Sequence, residues 1–457
     1  MSAPTHMHGA ILQALPASAG LDPPQCMTEF NVNARDYGTG IKAHEFLETD
    51  RTLRVKVKLL ANMLRTSSST LAYTGAGIST AAGIDDYATK AKKNSLTAAG
   101  RPVVKDWKLA TPTLTHYALA ALHRHGMLHH WINQNHDSLP QKASYPQHAL
   151  NEIHGSLHDI ANSIVPFEGT LRDDLFAWME EWIDRAQLCL ALGTSMSGFN
   201  CDRVPCTIGQ RFFEDDVLGS DANATADDSV AAAIGRGLVI VNLQETQYDG
   251  LAALRIYAKT DDVFAMLADE LGLQAELECA QKETYRVPDW ISAAATEAAK
   301  VSGAEEAAEE ADLFYFQTPG EKATMTRWDL RMGARVRLTG GPYEGDEGVV
   351  VAKCAQGHYK VRFSESIHPI FNVRRRTFSL WLGSWWIEMA MTGRGIVPGG
   401  KLPFVNVPRG EVGQDAKEDD GRQEQREEPQ PREPAPATKW IFNGETWEKI
   451  DSTVLTN

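Results

Sequence analysis

Four short polar stretches stand out as places where chemistry could be done: Gly75-Ala76-Gly77, Gln134-Asn135-His136-Asp137, Gly193-Thr194-Ser195 and Asn242-Leu243-Gln244. Each follows an apolar run that reads as a buried strand: Thr70-Leu71-Ala72-Tyr73, Trp131-Ile132-Asn133, Leu188 to Leu192, and Leu238 to Val241. Glycines let a backbone approach a phosphate, and the first N–H groups of a helix favour an anion. Gly75-Ala76-Gly77 is therefore a candidate phosphate cradle. It is equally suited to a plain tight connection, and its spacing is not that of G-x-G-x-x-G. The polar groups after Asn133 stand where a parallel strand ends, the edge at which open α/β sheets bind ligands. His154-Gly155 closes another short segment. A histidine there either caps a strand end or moves a proton, since imidazole titrates near neutrality.

Strands must alternate with helices to bring these stretches to one edge. Residues 1–40, rich in Ala, Pro, Gly and His, read as a flexible tail. Apolar residues recur from Ile41 to Leu64 at helical spacing. Residues 88–110 are polar and basic and read as a mobile loop with some helix. Thr113 or Thr115 can cap a helix whose apolar face holds Tyr117, Leu119, Leu122 and Leu128. A strand near Ile164-Val165, a helix from Asp173 to Arg185, a short strand at Leu254-Ile256 and a helix from Asp261 to Leu271 complete the pattern. The fold class that follows is α/β, a Rossmann-like doubly wound parallel sheet with a reduced small module. It would span 41–275, with the Asp-rich, weakly periodic stretch 197–236 as an insertion.

After an Ala/Glu-rich helical linker at 276–325 the patterning changes to alternation around Gly-Gly-Pro and Glu-Gly turns. Residues 326–408 read as a small all-β SH3-like barrel, with TFSLWLGSWWIEMA continuing as strand. Residues 409–438 are Glu, Gln, Pro and Arg and read as disordered. Asn443-Gly444 marks a type I′ turn in a terminal hairpin over 439–457.

Composition narrows the function. The formal net charge of the 457 residues is -15, which argues against wholesale nucleic-acid binding. Six scattered cysteines with no C-x-x-C write neither a disulfide framework nor a standard zinc site, so ordinary thiols in a reducing compartment are expected. No apolar run is long enough for a membrane span, and the first 34 residues hold no Arg or Lys, unlike a signal peptide or presequence. Locally, 331–376 carries nine Lys or Arg against four Asp or Glu, which suggests RNA or a chromatin or ribonucleoprotein partner; a spacer packed on the other half is the alternative. Arg374-Arg375-Arg376 is either a nuclear signal or a solvated strand face, so a nuclear or cytoplasmic location is expected.

Five ordered segments resemble the sirtuins, the NAD-dependent protein deacylases: GAGISTAAGIDDY, QNHDSL, IHG, LALGTSM and LVIVNLQETQYDGLAALRIYAKTDDV. The last, with ATPTLTHYAL and LHRHGML, is most similar to the nuclear branch. The resemblance implies NAD as cofactor and an acyl-lysine peptide or protein as substrate. It places Gly75, Ala76, Gly77 and Thr80 near the phosphates, and Asp86 and Tyr87 on the nicotinamide side. Gln134, Asn135 and Asp137 would line the ribose and nicotinamide pocket. Gly193, Thr194 and Ser195 would approach the phosphates and adenine ribose, Asn242, Leu243 and Gln244 the adenine ribose, and Thr260 the adenine. His154 would take a proton from a ribose hydroxyl, and catalysis would rest on His154, Asn135 and Asp137.

The match departs from the family in four places. Ala88 stands for an arginine, and Ser138 and Pro140 for Gly and His. The stretch between His154 and Val165 is too short for a zinc ribbon and holds no Cys, so no metal is expected. PFEGTL at 166–171 replaces the strip that clamps substrate backbone. The downstream GARVRLTGGPYEGDEGVVV is similar to a KOW motif. Three uses of the site stay open: protein deacylation, mono-ADP-ribosyl transfer or NAD hydrolysis, and an NAD-binding scaffold with reduced catalysis.

Overall fold

A computed structural model describes residues 4–86, 95–215, 233–282, 311–392 and 403–407, with breaks inside these ranges, and two strands at 439–442 and 447–450. Its centre is a six-stranded parallel sheet. The strands are β3 (Thr70–Thr74), β4 (His130–Asn133), β5 (Leu150–Glu152), β6 (Leu188–Leu192), β7 (Gly237–Val241) and β8 (Ala252–Ile256). Their order is β5-β4-β3-β6-β7-β8, so the chain starts in the middle, winds one way, and returns to wind the other. That is the dinucleotide-fold order, and its switch point lies between β3 and β6.

Every residue of these strands is buried, which is why they read as apolar runs without alternation. Successive side chains serve opposite faces. Ala72, Leu190 and Val239 pack on α2 (Asp50–Thr66), α3 (Leu114–Arg124) and a C-terminal helix at Thr260–Leu271. Leu71, Tyr73, Cys189 and Ile240 pack on α5 (Asp173–Arg185) and α6 (Arg203–Glu214). Thr113 is the α3 cap, and its N–H donates to His116 Nδ1 at 3.2 Å. Thr115 instead binds Asp261 Oδ1, through its N–H at 2.9 Å and through its hydroxyl.

Several expectations are corrected. The N-terminal stretch is not a loose tail. Helix α1 (Ala10–Ala14) buries Ile11 and Leu12 against β8, and β1 (Gln25–Thr28) pairs antiparallel with β2 (Glu45–Leu47). An edge strand exposes unpaired N–H and C=O groups, and the His8 carbonyl accepts from Arg255 N–H at 3.2 Å on that edge. The helical pattern from 41 begins only at Asp50, since 45–47 is β2. The glycine turn leads into 3₁₀ turns, Ala76–Ile78 and Thr80–Ala82, rather than an α-helix. Residues 164–165 form no strand; Val165 N–H simply donates to His154 O at 2.9 Å. Within the supposed insertion, 200–214 is a 3₁₀ turn followed by α6, which covers the sheet with Val204, Ile208 and Phe212.

The second half is antiparallel. Hairpin β9 (Leu313–Thr318) and β10 (Thr324–Asp329) starts before the expected boundary, inside the supposed linker. A five-stranded sheet follows, built from β11 (Arg335–Leu338), β12 (Glu347–Lys353), β13 (Tyr359–Phe363), β16 (Phe378–Leu382) and β17 (Phe404–Asn406) in the order β16-β13-β12-β11-β17. Residue pairs 366–367 and 374–375, β14 and β15, form a separate two-residue ladder. Hairpin and sheet share one core around Trp328, which stacks on Phe404 at 4.3 Å and meets Phe316 edge-on. Residues 384–392, expected as strand, are a helix carrying Trp385 and Trp386 into that core. The last strands pair Phe442 with Trp447, leaving four residues between them rather than the two of a type I′ hairpin. Residues 409–438 lie outside the described residues.

Because Ile11 is fully buried, Ile11→Ala should cost about 2–5 kcal/mol in chemical denaturation. A change within about 0.5 kcal/mol, the usual surface value, would mean that the segment does not pack.

Candidate active site

The carboxyl ends of β3 and β6 meet without side chains between them. Gly77 N–H donates to Gly193 O at 2.8 Å, and Gly75 N–H to Leu192 O at 3.1 Å. A Cβ on Gly75 would lie 2.8 Å from Thr194 Cβ, and one on Gly77 only 2.7 Å from Gly193 Cα. Gly193 adopts φ +55°, a left-handed conformation that glycine takes without strain. These glycines are thus required by the contact of two strand ends as well as by any bound anion.

Three side chains after β4 reach this junction, Gln134 on its β6 side and Asn135 and Asp137 on the glycine loop. Gln134 Nε2 donates to Thr194 Oγ1 at 3.0 Å. Asn135 Nδ2 donates to Gly75 O at 3.0 Å and reaches Ser79 Oγ at 3.1 Å. Asp137, 3% exposed, accepts from Ser79 Oγ at 2.6 Å and from Leu139 N–H at 3.0 Å. Thr80 Oγ1 donates to Gly77 O at 3.0 Å. Ala76 and Asp86 are half-buried on the same loop. Ser195 is bonded to Ser197 through their hydroxyls at 2.7 Å.

His154 follows β5. Its Nδ1 lies 3.2 Å from Gln134 O, and a carbonyl only accepts, so Nδ1 carries the proton and Nε2 is the basic nitrogen. Nε2 faces Cys201 Sγ at 3.3 Å. Behind the thiol, Tyr73 Oη stands 3.1 Å from Sγ and donates to Asp202 Oδ1 at 2.6 Å. Burial first, then the nearby Asp202 carboxylate, pushes the Tyr73 phenol well up. Sequence reasoning missed Tyr73, Cys201 and Asp202. Tyr73 reads as an ordinary strand residue, and the other two lie in the stretch taken for an insertion; the C-x4-C spacing of Cys201 and Cys206 was the available signal.

Asn242 and Gln244 are placed by Arg255. The buried guanidinium donates to Asn242 O at 3.0 Å, Gln244 O at 2.6 Å and Ile256 O at 2.8 Å, and pairs with Asp249. Its Cζ sits 3.6 Å above the Tyr257 ring. Lys56, also fully buried, pairs with Glu48 and donates to the carbonyls of Met7 and Arg255 at 2.7 Å. Desolvation lowers the Lys56 ammonium to about 8 despite that carboxylate. Leu243 O accepts from Phe46 N–H at 2.9 Å, which ties β2 to this loop. Thr260 is buried at the first turn of the C-terminal helix. Tyr87, Ala88 and residues 166–168 lie outside the described residues.

The residues after His154 form a compact polar turn. Gly155 takes φ +84°, and a Cβ there would stand 2.3 Å from Ser163 O. Asp159 Oδ1 accepts from the N–H groups of Ala161 and Asn162, and Asn162 Nδ2 donates to Glu152 O at 2.9 Å. Glu152 is buried, with Gln141 Nε2 at 2.8 Å from Oε2. Burial raises its carboxyl to about 8, and raises that of Asp159 to about 6 against the pull of Arg172. Among the described residues, no three His, Cys, Asp or Glu side chains gather to hold a metal ion.

The expected residues that the structure describes therefore gather at the carboxyl ends of β3, β4, β6 and β7, with His154 after β5. Uncharged hydroxyl and amide groups prevail there. Such a donor set suits a ligand rich in hydroxyls and phosphate oxygens, with His154 Nε2, which faces the Cys201 thiol, as the basic nitrogen beside it.

No protein-family model matches the chain. It is similar to the NAD-dependent protein deacetylase sirtuin-7 of Rattus norvegicus, 32% identical over 273 residues, covering 52% of this chain and 65% of that protein. The sirtuin-7 of Homo sapiens is 31% identical, covering 52% of this chain and 66% of its own length. The chain thus spans a little under two thirds of the length of these two relatives. A solved structure, "The Structural basis for Sirtuin Substrate affinity", is 25% identical, covers 48% of this chain and 99% of its own, and gives a TM-score of 0.36.

Two outcomes follow from the buried charges. Glu152 has its folded pKa raised from 4.5 to about 8, so the stability it contributes is complete below about 4.5 and is lost as pH rises through about 8. Glu152→Gln should flatten the fall in melting temperature across that window; equal slopes in both proteins would mean that the group is ionised in the fold. Arg255→Met leaves Asp249 as a buried charge without its partner and should cost about 3–5 kcal/mol in urea denaturation. Adding Asp249→Asn should recover part of the loss, and strict additivity of the two would show that the pair does not interact.

Proposed function

We infer from these relatives and from the site that the chain belongs to the sirtuin family, and on that premise we propose that it is an NAD-dependent protein-lysine deacylase. The observation that carries the reading is the pair of side-chain contacts at the switch point, Gln134 on Thr194 and Asn135 with Asp137 on Ser79, together with His154 held on the Gln134 carbonyl.

The residues fit NAD. Gly75 to Thr80 and Gly193 to Ser195 would approach its phosphates, Gly75 and Gly77 through close backbone packing, since their own N–H groups are engaged by Leu192 O and Gly193 O. Asn242 and Gln244 would hold the adenine ribose, with Thr260 against the adenine. NAD supplies an electrophilic ribose carbon and nicotinamide as a leaving group. Asn135 and Asp137 would line the ribose and nicotinamide side, because Ser79 ties both to the glycine loop. His154 would accept the proton of a ribose hydroxyl at Nε2, the nitrogen that its bond to Gln134 leaves basic, in exchange for the contact that Nε2 makes with the Cys201 thiol. An acyl-lysine side chain would enter beside it, and the acyl group would leave on ADP-ribose.

The antiparallel half is read as an SH3-like domain of KOW type. A nucleic-acid or chromatin partner is supported by the excess of basic residues in 331–376, but Arg331, Arg335, Arg337 and Lys353 each already engage a carboxylate: Asp329, Glu347, Glu347 and Asp312. The deacylase reading is therefore the better supported of the two activities proposed for the chain.

Incubation with NAD and acyl-lysine peptides should release nicotinamide and O-acyl-ADP-ribose in equal amounts. His154→Ala should lower kcat by about 10²–10⁴ and leave NAD affinity unchanged. Nicotinamide released with free ADP-ribose, or with ADP-ribosylated protein, would replace deacylation by hydrolysis or transfer.

A further inference from the structure

The turn that follows His154 is held from both sides. On one side it hydrogen-bonds to the parallel sheet's loops: Leu157 N–H donates to His136 O at 3.1 Å, and Ser156 and Ser138 share a hydroxyl contact at 3.0 Å. On the other side it enters the antiparallel half. Ile160, 1% exposed, belongs to the core built around Trp328 and Tyr359. Gly383 N–H donates to His158 O at 2.8 Å. The His158 ring lies 4.4 Å from that of His358 and 5.5 Å from Trp385. Gly341, at φ +81°, passes so close that a Cβ would stand 1.7 Å from Ala161 O. A methyl group there is sterically impossible without separating the two halves.

We propose that the antiparallel half is part of the catalytic machinery: it positions His154 by gripping the turn at 156–163. This rests on the deacylase reading for its consequence in turnover. The path is short. His158 Nδ1 is 3.1 Å from Ser138 Oγ, and Ser138 adjoins Asp137 in a left-handed backbone conformation. Val165 N–H closes the turn on His154 O at 2.9 Å. A shift of the grip therefore reaches both His154 and Asp137 through one or two bonds. The turn is too short and too polar to hold itself by an apolar core. Its one large buried apolar side chain, Ile160, is spent on the neighbouring half. On the other side of the grip, the His358 ring accepts from Ser384 N–H at Nδ1 (3.0 Å), which fixes its tautomer and its face toward His158. Of the two expectations for this half, a nucleic-acid or ribonucleoprotein partner and a spacer packed on the other half, the contacts at 158–161 favour the second.

The test uses the full chain with Gly341→Ala, which forces the halves apart, and Trp385→Phe, a milder change that keeps an apolar ring and the fold. Both should lower kcat for an acyl-peptide, the first by about tenfold or more, with the NAD dissociation constant within about twofold of wild type. Amide exchange at 156–163 should quicken, and the His154 ring resonance should shift or broaden. A purely architectural contact would lower the melting temperature while kcat per folded molecule and the His154 resonance stayed put, and that result in Trp385→Phe overturns the proposal. If the wild type turns over no acyl-peptide, the deacylase reading falls. The His154 resonance then still decides positioning: displaced in both variants it stands, unmoved in Trp385→Phe it fails.

Discussion

Two backbones at the ligand edge approach more closely than a methyl group allows, and the geometry of the site depends on that approach. Gly75 and Gly77 lie on Gly193 and Thr194, locking the ends of β3 and β6 together at the switch point. With that junction set, Asn135 can reach the Gly75 carbonyl, Gln134 can reach Thr194, and the Gln134 carbonyl can hold the imidazole of His154. Position is transmitted by amide and hydroxyl groups bonded to main chain, whose lengths leave little play. Exposed ion pairs would hold less firmly, since water and salt screen them.

Buried charge is used in two opposite ways around this junction. Beyond β7, Lys56, Glu48, Arg255 and Asp249 form a paired network, each charge answered by another and by carbonyls. Such a network is rigid, and losing one member exposes the rest to an unanswered desolvation cost. Below His154, Glu152 and Asp159 are buried acids with no cation bonded to them among the described contacts, and burial keeps both well above the usual carboxylate range. The first arrangement fixes the loop at 242–244. The second leaves the turn after His154 dependent on proton uptake and on the neighbouring half for its hold.

The parallel sheet was legible because strands buried on both faces leave uninterrupted apolar runs, and the polar stretches that close them mark the ligand edge. What escaped had no local signature. Helix α1 is five residues long in an Ala/Pro/Gly-rich context, and only tertiary cover of an edge strand explains it. In α6, Pro205 and Gly209 mask a helical face, although proline in a first turn costs no hydrogen bond. Trp385-Trp386 looks like strand by aromatic content, yet the pair lies on a helix because the shared core needs both rings. Tyr73 and Cys201 come from distant parts of the chain, and no spacing rule joins them. Nor does periodicity reveal that 156–163 would be shared between halves.

The stitching of the N-terminal stretch to β8 bears on how the chain acquires its structure. The Lys56 ammonium reaches the Arg255 carbonyl across 199 residues, and Arg255 N–H meets His8 O from still further away. Contacts of such long range make folding slow, because loop closure must be met before they contribute. During synthesis, the segment at 10–14 has no strand to cover until β8, the last strand of the sheet, has left the ribosome. Ile11 and Leu12 would stay exposed until then, a natural point of engagement for a chaperone.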